Sequence, residues 1–503
     1  MTLEQVVEAS GPTTGPVAQG PRVHSTAQRA RDRLPRSAVL APFLVLGAVR
    51  AGWFSEGDTF WQVQTGREIL RRGTVFLTDD FSWVVAGKPW HPNSWAFDVL
   101  LALAYDAAGP LGLAAVTVAL VTALGVALCA VARALGARTR PMVVTNTLLL
   151  VPLLAWVSTR PQTASYTLLP LVLALAARTV LRRGRGLAWR LMALYAMTAV
   201  WVNLHLAALA ALVAVGAGLL AVLVMRRTTA RRLLLPAVGV VTAVGLGCVS
   251  SPFGVGAIAS ALATRDASTT LVTEWAPLWR TSPGAVLTWA AAALAVGAAL
   301  VLWRRQLTDP LLAMCAAGSA VLLVLGVDAA RFSPMALVAA LPATAAWASR
   351  TDWSSGRWRP RIAFLSSRTA LAWLAAMAVL AAVHLPDLGQ PDPRQYPSAA
   401  TVAAIPDGCR VLNEYEDGGV VILRRASDGV RVAIDGRNDV YGATLVTHLQ
   451  NLLDAPPGAL AELRHASVDC LLLAPGRPLV AAALTAGWRL AARDTNRILL
   501  LAP

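Results

Sequence analysis

The chain alternates long apolar blocks with short polar breaks over most of its length. Between residues 37 and 386 the blocks run for about 17 to 23 residues, the length that a helix needs to cross roughly 30 Å of hydrocarbon. The breaks are alternately rich and poor in arginine. This pattern predicts an α-helical polytopic membrane protein with about 11 transmembrane helices.

The two ends of the chain follow other patterns. Residues 1–36 are rich in Gly, Pro, Ser, Thr and Arg and have no apolar period, which predicts a disordered tail. Residues 387–503 alternate short strand-like and helical runs and predict a small α/β domain. Strands are predicted at 410–413, 430–434, 469–473 and 497–501, and helices at 443–453, 457–465 and 479–486.

The arginine-rich breaks predict the orientation of the bundle. Arginines before the first block place the tail in the cytoplasm, and block 37–54 is then an uncleaved first span. Trp95–Ala108 is predicted to lie along the outer surface, with Asp98 and Asp106 among its polar residues. The last block, 363–384, then leads outward, so the C-terminal domain is predicted to be extracytoplasmic. An even number of spans would place that domain inside.

Composition excludes a soluble protein. Of 503 residues, 56% are apolar and 14% are charged, and the mean hydropathy is +0.57. The net charge of +16 could indicate nucleic acid, but the arginines lie in short loops between apolar blocks, and Lys88 is the single lysine. We therefore expect the plasma membrane bilayer as a partner, and no nucleic acid.

The five cysteines fall into two groups. Cys129, Cys248 and Cys315 lie inside apolar blocks and are expected to be small buried side chains. Cys409 and Cys470 each lie beside a strand-like run of the C-terminal domain. A disulfide between them is possible outside the cytoplasm, but sequence does not set the spacing that a bridge requires.

The first outside loop, 55–110, is the richest polar segment. Asp58 precedes an amphipathic run and is either a helix N-cap or a catalytic carboxylate. Asp79 and Asp80 are either turn residues or substrate ligands. Arg67 and His91 are further candidates for substrate binding. The aromatic residues of the loop suit either anchoring at the membrane surface or stacking on a sugar or prenyl chain.

Later outside breaks supply four more candidates. Arg160 and Arg331 either bind a phosphate through the guanidinium fork or extend to lipid headgroups. His205 is either a cationic partner or a capping group, and Glu274 is a second carboxylate for a metal or an acceptor. In the C-terminal domain, the polar residues form either a glycan-binding focus or a simple turn between a strand and a helix; they are Asp435, Arg437 and Asp439.

These motifs resemble those of bacterial membrane proteins related to GT-C glycosyltransferases. Dolichyl-phosphate-mannose protein mannosyltransferases and aminoarabinose transferases belong to that group. The resemblance covers most of the chain after residue 50. Its motifs lie at 57–61, 66–67, 79–82, 89–90, 160–161, 201–205, 251–254, 274–277, 331–334, 413–419 and 434–441, together with Trp95.

The resemblance implies a function. Such transferases take a sugar from a polyprenyl-phosphate donor on the outer face, and an acidic residue of the first loop activates the acceptor hydroxyl or helps to hold a divalent metal. Asp58 matches that position. We therefore expect an inverting hexosyl- or pentosyltransferase, with a glycan, lipid or protein acceptor of the cell envelope and with Mg²⁺ or Mn²⁺ as a candidate cofactor. The alternative is a non-catalytic protein that binds or transports a lipid-linked glycan on the same scaffold.

Overall fold

The computed structural model describes residues 35–182, 184, 186–259, 269, 272–351, 367–383 and 385–503. Nearly all of the predicted tail, 1–36, lies outside the described residues. Parts of the break at 251–283 and of the last apolar block, 363–384, lie outside them as well.

Long apolar helices form a bundle. Within the described ranges, eight helices are long and apolar enough to cross a membrane. They are Pro110–Ala134, Pro161–Leu181, Leu187–Leu204, Leu206–Met225, Ala230–Cys248, Pro283–Arg305, Pro310–Asp328 and Phe332–Arg350. Three shorter segments correspond to the remaining predicted spans, namely Arg36–Leu40 continued by Ala41–Arg50, Thr139–Leu153 and Ser367–Val383. The multi-pass helical class is confirmed, whereas the number of crossings stays a prediction.

The helices that flank Arg331 lie at the centre of the bundle. In Phe332–Arg350, 78% of the apolar window is buried, and in Pro310–Asp328 the buried share is 61%. Small residues such as Ala336, Ala339 and Ala340 are fully buried there. Helices in lipid associate through close packing of small side chains, so these two helices pack tightly against their neighbours in the bundle.

Two further helices form the first loop. Asp58–Arg72 packs against Trp95–Ala108, and a short antiparallel pair, Leu77–Thr78 with Pro89–Trp90, lies between them in sequence. Trp95 Nε1 donates to Asn203 Oδ1 at 2.7 Å, which fastens the second helix to the end of Leu187–Leu204. Trp95–Ala108 is a helix separate from Pro110–Ala134, and its location along the outer surface stays a prediction.

The C-terminal domain contains a mixed five-stranded sheet. Along the sheet the strands are Arg431–Val432, Arg410–Asn413, Cys470–Leu473, Ile498–Leu501 and Arg489–Arg493. The first three are parallel, and the last two pair antiparallel. The helices around the sheet are Ala399–Ala403, Gly418–Arg425, Asn438–Tyr441, Ala443–Leu452, Ala459–His465 and Pro478–Thr485. The four predicted strands are present, and Arg489–Arg493 was missed because this edge strand is mostly exposed and lacks apolar alternation.

The C-terminal domain and the first loop share one core. Val432 N donates to Phe81 O at 3.0 Å, and Trp83 N donates to Val432 O at 3.1 Å, so the loop extends the edge of the sheet. Phe60 and Trp90 of the loop belong to the same buried cluster as the sheet residues. The predicted boundary at 386 therefore divides the chain but does not divide the hydrophobic core.

A buried ion cluster links the first loop to the C-terminal domain. Arg437 donates from Nη1 to Asp79 Oδ1 at 2.6 Å and from Nη2 to Asp435 Oδ2 at 2.6 Å, and all three side chains are fully buried. The guanidinium also lies over the rings of Phe81 and Trp90, with centroid distances of 5.1 and 4.9 Å. Asp79 comes from the loop and Asp435 from the domain, so one guanidinium bridges a carboxylate from each.

Cys409 and Cys470 form a disulfide within the C-terminal domain, with their Cα atoms 6.4 Å apart. The bridge joins two neighbouring parts of the sheet. Cys129, Cys248 and Cys315 are free and buried, as the sequence predicts.

Neighbouring aspartates provide a test of the ion cluster. Replacing Asp79 by Ala leaves the Arg437–Asp435 pair in place but removes the acceptor of the buried Arg437 Nη1 and of Ser82, which should lower the free energy of unfolding by about 1–3 kcal/mol. Asp80→Ala is the control, because this half-exposed carboxylate pairs with Arg72 at the surface and should cost about 0–1 kcal/mol. Denaturant titrations in detergent, followed by tryptophan fluorescence, measure both values. Equal losses would contradict the assigned role of Asp79.

Candidate functional site

Asp58 is the first residue of helix Asp58–Arg72, which begins at one end of the bundle. Gly57 occupies the N-cap position, and the Asp58 carboxylate makes no capping hydrogen bond. Instead, Asp58 Oδ1 accepts from Trp61 Nε1 at 3.2 Å. The N-cap interpretation of Asp58 is therefore wrong, and its second oxygen, Oδ2, is directed elsewhere.

Arg160 bridges Asp58 to a second carboxylate. Its Nη2 donates to Asp58 Oδ2 at 3.1 Å, and its Nη1 donates to Glu274 Oε1 at 2.9 Å. Thr59 Oγ1 donates to Thr159 O at 3.2 Å, which holds the start of the loop helix beside Arg160. The side chains of Arg160, Asp58 and Glu274 remain 20%, 29% and 26% exposed, so a ligand can reach the bridge.

The backbone ties Glu274 to Arg331. Glu274 lies in the short turn Thr273–Trp275, and Arg331 N donates to Glu274 O at 2.9 Å. The Arg331 guanidinium lies 3.8 Å from the centre of the Trp275 ring. Two guanidinium groups and two carboxylates thus meet at one end of the bundle.

His205 lies at the edge of this cluster. Its Nδ1 shares a hydrogen bond of 2.7 Å with Ser165 Oγ, and Trp201 Nε1 donates to the same hydroxyl at 2.7 Å. The ring is within electrostatic range of Arg160 and Arg331. The structure therefore brings together five of the nine predicted residues, namely Asp58, Arg160, His205, Glu274 and Arg331.

The two carboxylates have opposite electrostatic environments. Burial raises the pKa of Asp58 above 3.8, and the charge of Arg160 offsets this only in part. Burial opposes ionisation of Glu274 as well, but Arg160 and Arg331 outweigh it and lower the pKa of Glu274 below 4.5. Asp58 is therefore the stronger base, and Glu274 is the more permanent anion.

The other four predicted residues lie outside the cluster. Arg67 is nine residues along the helix from Asp58, about 13 Å at 1.5 Å per residue, and pairs with Asp106. Asp80 pairs with Arg72, and Asp79 accepts from Ser82 in a turn as well as from Arg437. His91 contacts the rings of Phe76 and Phe253, at centroid distances of 5.5 and 5.0 Å.

The sequence did not indicate that the C-terminal domain reaches Asp58. Gly436 lies against the carboxylate so closely that a Cβ atom there would be 2.1 Å from Asp58 Oδ1. Gly419 lies equally close to Gly57, the residue before Asp58, since a Cβ atom at Gly419 would be 2.2 Å from Gly57 O. Residues 435–437 lie between strand Arg431–Val432 and helix Asn438–Tyr441, as the turn interpretation predicts, while glycan binding there stays a prediction. These glycines were the one signal of a close contact.

The arrangement of side chains that could ligate a metal can be compared with the expected metal site. Within the described ranges, no group of three His, Cys, Asp or Glu side chains is arranged to hold an ion. Arg160 occupies one oxygen of Asp58 and one of Glu274, so a guanidinium bridges these two carboxylates. A divalent metal, Mg²⁺ or Mn²⁺, stays a prediction.

A second acidic side chain of the loop is buried near Asp58. Asp98 is fully buried, and its Oδ1 accepts from Ser94 Oγ at 3.0 Å. Within the described part of the chain, Asp98 Oδ2 and the neighbouring Gln62 Oε1 both lack a hydrogen-bond donor. A proton on Asp98 would supply one donor to this pair, and burial accordingly raises the pKa of Asp98 well above 3.8.

Comparison with known proteins identifies the fold. No family model and no curated protein matches the sequence. The chain is similar to the crystal structure of ArnT from Cupriavidus metallidurans bound to undecaprenyl phosphate, with a TM-score of 0.55 and 15% identity over 92% of this chain and 96% of that one. The apo state of the same protein gives a TM-score of 0.52 and 15% identity, over 91% and 95%. The predicted GT-C-like fold is thereby confirmed.

The protonated state of Asp98 has a consequence for stability. Between 3.8 and the raised pKa the folded state holds a proton that the unfolded state has lost, so stability should fall as the pH rises through this range. Asp98→Asn removes this one ionisation and keeps a donor, so its stability should fall less steeply over this range and exceed that of the wild type at neutral pH. Unfolding free energies between pH 4 and pH 8 test this, and parallel curves for both proteins would contradict it.

Proposed function

We propose that this protein is a membrane glycosyltransferase that moves a sugar from a polyprenyl-phosphate donor to a cell-envelope acceptor on the outer face. The observation that carries the proposal is the cluster in which Asp58 shares Arg160 with Glu274, beside Arg331. The fold supports it, since ArnT, which has a similar structure, was crystallised with undecaprenyl phosphate. The cluster combines a base with cations suited to a phosphate.

Asp58 is assigned as the general base. Its carboxylate removes the proton of the acceptor hydroxyl as that oxygen attacks the anomeric carbon of the donor sugar. The bond from this carbon to the phosphate oxygen breaks, and polyprenyl phosphate leaves with the electron pair. A single displacement of this kind inverts the anomeric configuration.

Glu274 and the arginines have a different task. Pairs of carboxylates whose environments separate their pKa values commonly divide the work of base and fixed anion. Glu274 remains ionised and holds Arg160, while Arg331 stacks on Trp275 and offers its guanidinium edge. Cationic groups fixed in this way stabilise the negative charge that develops on the departing phosphate. Arg160 and Arg331 are therefore assigned to the donor phosphate.

The site is assigned to the extracytoplasmic face. The arginine-rich breaks favour a cytoplasmic N-terminus, which places the ends that carry Asp58 and Arg331 outside. The disulfide of the C-terminal domain is consistent with that face, because structural disulfides persist in oxidising compartments.

The base can be tested by an isosteric change. Asp58→Asn keeps the shape of the side chain but cannot accept a proton, so transfer should fall by about 100-fold or more while donor binding is retained. The purified protein in lipid would be incubated with radiolabelled polyprenyl-phosphate sugars and envelope acceptors. Asp407→Asn is the control, because this carboxylate is 80% exposed and pairs with Arg425 away from the cluster.

Two outcomes would contradict the proposal. Full transfer by Asp58→Asn would remove the assigned base. Donor binding by the wild-type protein without transfer to any acceptor would favour a non-catalytic protein that binds or transports a lipid-linked glycan.

The environment of Asp58 also predicts a pH dependence. A base acts only when ionised, so kcat/KM should fall as the pH drops through the raised pKa of Asp58. The negative charge of Glu274 contributes to that raised pKa. Glu274→Gln should therefore move the acidic limb to lower pH, in addition to weakening donor binding. An acidic limb that stays in place in this variant would exclude Asp58 as the titrating group.

A further inference from the structure

We propose that the C-terminal turn at residues 435–437 is a positioning element for the Asp58 carboxylate, so that this domain completes the catalytic site. The inference rests on the proposed function of Asp58. It assigns to the turn a role in orienting the base, beyond its part in holding two portions of the chain together.

The contact at Gly436 is the first observation. A Cβ atom at this position would be 2.1 Å from Asp58 Oδ1 and 3.1 Å from Trp61 Nε1. These are the two atoms joined by the 3.2 Å hydrogen bond that holds the carboxylate. The turn therefore covers the Trp61 side of Asp58, and only glycine leaves enough room for that contact.

Aromatic contacts extend the wall around Trp61. The Trp61 and Trp90 rings meet edge to face, with centroids 5.9 Å apart. Trp90 Nε1 in turn donates to Asp439 Oδ2 at 3.2 Å, just beyond the turn. Trp61 is thus enclosed by the loop and by the C-terminal domain, which limits the directions in which it can donate to Asp58.

Arg437 anchors the turn. Its Nε and Nη2 donate to the two oxygens of Asp435 at 2.8 and 2.6 Å, and its Nη1 donates to Asp79 of the first loop at 2.6 Å. Tyr441 also donates to Asp435, at 2.6 Å. Gly436 lies between the two ends of this buried pair, so its backbone cannot move independently of the ion cluster. Arg437 is accordingly a positioning residue that acts through Gly436.

The two oxygens of Asp58 are consequently held by different parts of the molecule. Oδ1 faces Trp61 and the turn, whereas Oδ2 faces Arg160 at the end of the bundle. This arrangement fixes the plane of the carboxylate relative to the cations assigned to the donor phosphate. Catalysis is sensitive to such geometry, since a misplacement of about 1 Å can lower the rate about 100-fold.

A pair of glycine variants tests the inference. Gly436→Ala places a methyl group against Asp58 Oδ1, so the carboxylate must shift, and kcat should fall by about tenfold or more with little change in the KM of the donor. Gly476→Ala is the matched control, because it lies in the same domain and a Cβ atom there meets nothing within 4 Å. The control should keep wild-type kcat and KM.

A second readout does not need a substrate. Carbodiimides modify protonated carboxyl groups, and peptide mass spectrometry can follow the labelling of Asp58 with the exposed Asp407 as an internal reference. Displacing Asp58 from Trp61 and Arg160 removes bonds that favour its ionised form, so Asp58 should be labelled several-fold faster in Gly436→Ala than in the wild type. Trp61→Phe removes the hydrogen-bond donor to Asp58 without adding bulk, so it should also speed the labelling of Asp58. This variant tests the inference if Gly436→Ala fails to fold.

The outcomes separate this inference from the proposed function. Altered labelling of Asp58 in Gly436→Ala and Trp61→Phe, against an unchanged Gly476→Ala, supports the positioning role even if no donor yields a product. Labelling and kcat equal to those of the control would overturn it. A loss of thermal stability in Gly436→Ala with wild-type labelling and kcat would show that the turn only holds the fold together.

Discussion

Hydrocarbon requires each spanning segment of this chain to satisfy its backbone hydrogen bonds within its own helix. The polar breaks therefore emerge alternately on the two faces of the bundle, and every second break lies on the same face. Asp58, Arg160 and Arg331 are far apart in sequence but begin or precede helices at one end of the bundle. The rest of the site depends on this constraint, because the bundle supplies a common plane on which separate loops can meet.

Within that plane, Arg160 joins the segment that carries Asp58 to the segment that carries Glu274. Its planar guanidinium presents two donor directions, one for Asp58 and one for Glu274. The pKa of Asp58 stays raised because the effect of burial exceeds the opposing effect of the Arg160 charge. The pKa of Glu274 is lowered because the charge of Arg331 adds to that of Arg160. Two carboxylates bound to one cation thus acquire different affinities for a proton, which is what the proposed chemistry requires.

The C-terminal domain packs together with the first loop as one unit. It shares a hydrophobic core with the first loop, adds backbone hydrogen bonds at the edge of its sheet, and buries Arg437 between Asp79 and Asp435. A glycine of this domain then approaches Asp58. A domain attached only by a flexible linker could not maintain a contact of that kind, so the buried ion cluster and the close glycine contact depend on each other.

The sequence by itself determined the helical membrane class, four strands and three helices of residues 387–503 and five residues of the cluster, because hydrophobic period and loop charge are local properties. It could not determine the partners of those residues. Arg160 and Arg331 were equally compatible with lipid headgroups, Asp79 was not recognised as an ion-pair partner, and Gly436 lies 378 positions after Asp58. Only the tertiary structure decided these contacts, because packing brings distant segments within hydrogen-bonding distance and no local pattern records that distance.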